Sequence, residues 1–227
     1  MTQAFDVTDL AAVLFFLLAW IGYGFAVEHS PLARHALNSR MDVYRGLWMR
    51  RMVERELRIV DTTIMASLQN GTAFFASTSL IALGGALSFL RASEETLQLF
   101  SALPFAAPTT RMVWEGKLLG LSVIFAYAFF KFAWSYRLMN YSAILIGATP
   151  TVADSQDAEA LAMADRAAAM NTVAGGHFNR GQRAFFFALG YLGWFVGAYA
   201  FMATTAAVLI VMATRQFGAA SRRALAE

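Results

Sequence analysis

Four stretches of this chain, 10–27, 62–90, 118–130 and 184–214, contain no Asp, Glu, Lys or Arg. A helix rises ~1.5 Å per residue and the hydrocarbon core of a bilayer is about 30 Å thick, so roughly 18 such residues cross it. Three of the four runs reach that length unaided. The composition agrees, because 58% of the 227 residues are hydrophobic and 15% are charged, where a soluble domain carries about 25% charge. A water-soluble enzyme, a disordered chain and a basic soluble nucleic-acid binder are excluded, and the absence of cysteine excludes a disulfide scaffold. The expectation is one all-α integral membrane domain over 1–227, a four-helix transmembrane bundle without catalytic activity, with spans at about 8–27, 62–90, 112–134 and 184–213.

Asp6 and Asp9 precede the first run where a cleavable leader would carry positive charge, so that run is read as a retained span. Seven arginines fall between residues 28 and 61 and no Lys or Arg lies before the first span. The most basic loop stays in the cytoplasm, which puts the N-terminus outside a bacterial inner membrane and, after four crossings, the C-terminus outside as well. The basic tail, with Arg215, Arg222 and Arg223, runs against that last placement.

No proline interrupts Asp42 to Leu90, so the second span is expected to continue a long helix that projects into the cytoplasm. The third helix is expected to run from about Thr110 past Arg137 to Ile146. Ser93-Glu94-Glu95 begins a short outer helix, and Thr151-Val152-Ala153-Asp154 has capping-box spacing for a cytoplasmic helix over 151–173 that Gly175-Gly176 would end. Asn179 would then cap the fourth span, where Gly190, Gly193, Gly197, Ala200, Thr204 and Ala207 form a close-contact face.

Thr63, Ser67, Asn70 and Ser77 align at helical spacing on the second span, with Gln69 beside them. In lipid such groups must meet protein or water, so the stripe is either a polar path or a row of interhelical hydrogen bonds. No carboxylate lies within a run, which argues against a carrier built on an intramembrane acid. His29, His35 and His177 fall outside the runs without metal-ligand spacing, so neither a metal nor a cofactor is expected. Asp61 and Arg137, placed where antiparallel helices enter and leave the membrane, are expected to pair, because an unpaired charge there costs several kcal/mol.

His29-Ser30-Pro31-Leu32, the stretch from Asn38 to Trp48 with Arg40 and Arg45, Asp61 to Ala66, Lys131-Phe132 with Arg137, and His177 to Ala184 together resemble a family of integral membrane proteins catalogued as a domain of unknown function, bacterial with plant relatives. The resemblance implies a four-span membrane protein and brings no activity with it. His29, Arg45, Trp48, Asp61, Arg137, His177, Asn179 and Arg183 would gather on the cytoplasmic side, either as a lock between helices or as a ligand site. Two roles follow. One is a homo-oligomeric channel or passive transport protein with its path along the second span. The other is a non-catalytic scaffold or accessory subunit that docks a protein partner at its cytoplasmic helices. The lipid bilayer is a partner in both, and nucleic acid in neither.

Overall fold

A computed structural model describes residues 6–102, 109–151 and 157–218. The described residues are helical, with no strand among them. Helix α1 covers Val7–Glu28. The Asp6 carboxylate caps it by accepting from Val7 N at 2.7 Å. A 3-10 turn, Pro31–His35, follows, with the Ser30 hydroxyl accepting from Leu32 N. The next helices are α2 (Leu37–Met52), α3 (Ile59–Arg91), α4 (Ser93–Ser101), α5 (Arg111–Ala148), α6 (Ala158–Tyr191), the single turn α7 (Gly193–Val196) and α8 (Ala198–Phe217).

Four helices, α1, α3, α5 and α8, are long and apolar enough to cross a membrane. The expected all-α transmembrane bundle with four such helices is therefore present, and the chain is a multi-pass membrane protein. At ~1.5 Å per residue, the 33-residue α3 and 38-residue α5 measure about 50 and 57 Å, well beyond a 30 Å core. Their surplus length lies with α2 and the first half of α6 at the end that carries the arginines of residues 34–58, the arginine-rich end.

The 42–90 stretch is not one helix. It breaks between Met52 and Ile59 because Arg58 has a stronger use than continuing the turn. Its guanidinium donates to the carbonyls of Ile146, at 2.7 Å, and of Thr149 and Pro150. The carbonyl end of α5 is thus capped by a cation, as the helix dipole favours. Capping at the start of α6 also differs from expectation. Asp157 accepts from Glu159 N and Ala160 N at 2.9 Å, while Val152, Ala153 and Asp154 of the proposed capping box lie outside the described residues.

Gly175-Gly176 does not stop α6, which passes through both glycines to Tyr191. A Cβ at Gly175 would collide with the Arg45 guanidinium, and one at Gly181 would sit 2.9 Å from the Phe132 ring. These glycines permit close approach instead of ending the helix. Asn179, expected as a cap, is consequently in a helix interior.

The uncharged run expected as a single crossing over 184–213 is divided between the end of α6 and α8. Between them, α7 and Gly197, at φ 158°, turn the chain. The Thr204 hydroxyl donates to Gly190 O at 2.6 Å, and Trp194 stacks on Phe201 at 5.2 Å. The small-residue face seen in the sequence therefore closes a hairpin on itself. Trp194 Nε1 donates to Asp9 at one end of α1, while the Tyr23 hydroxyl donates to Met212 O near the other end. The second half of α6 thus runs alongside α1 to its Asp9 end and α8 returns. The expected placement of the end of the last span opposite the arginine-rich loop is corrected: Gln216 shares a cavity with Glu28 and His29 at the arginine-rich end.

Two apolar clusters fill the molecule. Phe16, Phe125, Phe132, Phe187, Tyr191, Trp194 and Phe201 join α1, α5, α6, α7 and α8. Met49, Met52, Met65, Met139, Ile146 and the alanines at 160, 164 and 167 join α2, α3, α5 and α6 at the arginine-rich end. Alanine on α6 lets α5 approach closely enough for Ser135 and Ser142 to donate to Ala174 O and Ala167 O at 2.7 and 3.1 Å.

Two measurements check this arrangement. Single cysteines at His35 and Phe217 should label from one side of the membrane and a cysteine at Gln98 from the other. Gly193→Ala, whose Cβ would lie 2.8 Å from Ala200 O, should lower the unfolding midpoint in detergent, at a cost of about 1–3 kcal/mol. Gly22→Ala, with nothing within 4 Å, should leave the midpoint unchanged or slightly raised.

Candidate functional site

At the arginine-rich end, α1, α2, α6 and α8 enclose a cavity of about 290 Å³ lined by Tyr23, Glu28, His29, Asn38, Asp42, Asn179, Arg180, Gln182, Arg183 and Gln216, among others. Arg180 and Arg183, three residues apart on one face of α6, both hold Glu28. Arg180 donates from Nε and Nη2, the latter at 2.7 Å, and Arg183 from Nη2 at 2.5 Å. Arg183 is buried, and Gly24 leaves room for its guanidinium 3.4 Å from where a Cβ would stand. Across the cavity Asp42 accepts from Arg45 at 2.6 Å. Burial nevertheless pushes the Asp42 carboxyl above its usual range, with Arg45 opposing the rise. The Gln216 amide nitrogen is buried without a hydrogen-bond partner.

The eight residues expected to form one network are distributed over three places. His29, Asn179 and Arg183 line the cavity, with Arg45 at its edge beside Asp42. Trp48 and Asp61 meet each other instead: Trp48 Nε1 donates to Asp61 Oδ1 at 2.7 Å, and Arg55 pairs with the same carboxylate. Arg137 and His177 line a separate open groove on α5. The expected Asp61–Arg137 pair is not formed. Asp61 is fully buried against α2 and the break after it, whereas the Arg137 Nε donates to the Tyr141 hydroxyl at 2.7 Å, one turn along its own helix. The Gln69–Asn140 and Arg58–Ile146 contacts set the register of α3 against α5 and place Asp61 beside the last turns of α5, well past Arg137, so the two charges are separated in depth as well as in direction. Nor does the His177–Arg183 segment close over that pair, since its two arginines belong to Glu28.

Glu28, Arg180, Asp42 and Gln216 are the cavity residues that sequence reasoning passed over. The signal for the first two was the Arg180/Arg183 spacing, which places two cations on one helix face only if α6 is continuous there. The opposite end holds a second polar knot outside the expected set. The buried Lys117 donates to Trp194 O at 2.7 Å and lies 5.3 Å from the Trp194 ring, whose indole N–H is held by Asp9 at 2.6 Å.

The second candidate site is the stripe on α3. Gln69 donates to Asn140 Oδ1 at 2.7 Å and ties α3 to α5. Thr63, Ser67, Asn70 and Ser77 are exposed on the outside of the bundle, so they line no path through a single chain. The exposed set extends beyond them. Thr63, Ser67, Asn70, Phe74, Ser77, Ile81, Gly84 and Ser88 alternate by four and three along α3, and all are exposed.

Glu28→Gln should destabilise the protein by on the order of 3 kcal/mol, read as a lower unfolding midpoint in detergent, because it leaves the buried Arg183 without its counter-charge. Asp165→Asn, which removes the exposed pair with Arg50 at 2.9 Å, should leave the midpoint unmoved within error.

No curated protein and no solved structure matches the chain. The model of the family described as "Protein of unknown function, DUF599" matches residues 11–221, nearly the whole chain, and the chain belongs to that family.

Proposed function

We propose that this protein is a non-enzymatic, homo-oligomeric membrane protein whose copies meet along α3, and that it provides a passive path for small solutes or ions between copies. The observation that carries the reading is the outward-facing stripe from Thr63 to Ser88. Alternation by four and three is the spacing of helices that pack at about +20°. From Phe74 to Ser88 small and hydroxyl side chains allow close backbone approach in lipid, while Thr63, Ser67 and Asn70, toward the length of α3 that extends beyond the hydrocarbon, can hydrogen-bond between copies. A second copy presents the same amide and hydroxyls across a symmetry axis, so the face is self-complementary. Any polar path then runs between chains.

Phe74 and Ile81 occupy the middle of the same face. In the channel reading they form an apolar constriction that closes the path by dewetting. They also favour the second reading, a scaffold whose α3 faces simply pack together and whose arginine-rich end docks a partner. The positive-inside rule supports a cytoplasmic arginine-rich end and an external Asp6 end, in a bacterial inner membrane. The basic residue Arg215 then agrees with the rule, because α8 returns to that same end.

The chain lacks cysteine, so single cysteines at Ser67, Asn70 or Ser77 report contact directly. They should cross-link copies in membranes, while one at Leu18 on the exposed face of α1 should not. Asn70→Leu should weaken association roughly 5- to 30-fold, the equivalent of about 1–2 kcal/mol for an interhelical hydrogen bond. A strictly monomeric particle overturns the oligomer. Cross-linking without solute or ion flux in liposomes rejects the path and leaves the scaffold.

A further inference from the structure

Three helices meet a charge at one level of the bundle. The uncharged run of α1 ends at Glu28, that of α5 ends at Lys131, and that of α6 begins after Arg183. Contacts between the helices fix this register. The Phe132 ring fills the space beside Gly181, Glu28 pairs with Arg180 and Arg183, and the Trp20 and Tyr127 rings meet at 5.8 Å on the hydrocarbon side of these charges. Spanning helices carry their charged side chains where hydrocarbon gives way to headgroups, so this level borders the phosphate layer at the arginine-rich end.

The same charges line one groove of about 630 Å³ between α1 and α5, floored by α6. Lys131, Arg180 and Arg183 bring it three positive charges and Glu28 one negative charge. The two arginines share Glu28, and no ion pair among the described residues includes Lys131. Two positive charges are therefore in excess at the edge of a low-dielectric medium, which favours an anion there. Tyr127 places two of the cations on one side of the groove. The Lys131 ammonium stands 5.1 Å from its ring centroid, and Arg180 lies near enough to interact with its phenol. His177, one turn before Arg180 on α6, feels the charges of both cations. Glu28 occupies Nε and Nη2 of Arg180, so Nη1 is left to donate elsewhere. Toward the hydrocarbon the groove continues along Leu17, Ile21 and Phe25, an exposed stripe of α1 at four-residue spacing. At ~1.5 Å per residue that apolar wall is about 12 Å long.

We propose that the α1–α5 groove binds an anionic glycerophospholipid, its phosphate held by Lys131, Arg180 Nη1 and the Tyr127 hydroxyl and one acyl chain lying along Leu17, Ile21 and Phe25. Basic pockets between spanning helices at headgroup depth are where anionic lipids bind. A zwitterionic lipid brings its own ammonium and leaves the excess charge in place. Free phosphate answers the charge and leaves the apolar wall uncovered. The groove shares no residue with the outward face of α3 and stands whether or not copies associate there.

The test uses the full chain in mild detergent, titrated with phosphatidylglycerol, phosphatidylcholine or inorganic phosphate, and read by native mass spectrometry and by the unfolding midpoint. Phosphatidylglycerol should be retained and should raise the midpoint; the other two should do neither. Lys131→Gln should weaken retention roughly fivefold, while its lipid-free midpoint stays level or rises because no ion pair is lost. Arg137→Gln, on the same helix but turned to Tyr141, should retain the lipid as the unaltered chain does. Tyr127→Phe removes only a hydroxyl and should weaken retention roughly two- to tenfold, which provides the reading if the Lys131 variant does not fold. Unchanged retention by the Lys131 or Tyr127 variant, equal losses at Lys131 and Arg137, equal binding of phosphatidylcholine, or the same midpoint shift with inorganic phosphate overturns the proposal.

Discussion

Arg183 is a guanidinium almost entirely enclosed by helices, and the arrangement around it follows from the need to compensate that charge. Little of it reaches the cavity it lines, so a carboxylate has to come to it. Glu28, at the very end of α1, supplies it and is shared with Arg180. That pairing sets the level at which α1 meets α6. The level in turn determines where Trp194 reaches Asp9, and hence where the chain turns back into α8. Gly24 belongs to the same constraint, because the guanidinium lies against the backbone of α1 at the point where that helix has no side chain.

The two apolar clusters are built from different residues because they face different tasks. Toward the Asp9 end, aromatic rings on α1, α5, α6, α7 and α8 fill wide gaps between helices and contact one another edge-on, as Phe16 does with Phe187 at 5.7 Å. Toward the arginine-rich end, the narrow α5–α6 contact is made of alanines and serines, and methionines fill the irregular space left by α2 and α3. The break between α2 and α3 belongs to this second cluster. It frees Arg58 to cap α5 and brings Trp48 and Arg55 onto the buried Asp61. A continuous helix would leave the Asp61 carboxylate and the last carbonyls of α5 without these donors.

Polar groups are thus distributed by depth and by direction. Those turned inward, at Asp61, Glu28, Lys117 and Gln69, are matched within the chain and act as locks between helices. Those turned outward divide again. The α3 face is uncharged, small and self-complementary, which suits another copy of the same helix. The α5 groove is lined by Lys131, Arg137 and aromatic side chains. Gln69 and Asn140 tie α3 to α5.

What the amino-acid sequence determines by itself is that this chain lives in a membrane as helices. Uncharged runs of 18, 29 and 31 residues have no other stable environment, and the long third helix from Thr110 to Ile146 is legible because it is apolar and free of proline. The ion pairs were not legible in the same way. Asp61 and Arg137 both stand near the ends of uncharged runs, yet the end of a run does not set the register of a helix that continues beyond the membrane, and the Gln69–Asn140 and Arg58–Ile146 contacts place the two charges at different levels. The turn at 192–197 escaped for a related reason: apolarity records that residues avoid water and not how many times they cross. Likewise Gly175-Gly176 reads as a helix stop until the Arg45 guanidinium is seen to occupy the space a Cβ would take. Tertiary packing decided these points, since only neighbouring helices determine whether a glycine ends a helix or admits a side chain, and which cation a buried carboxylate meets.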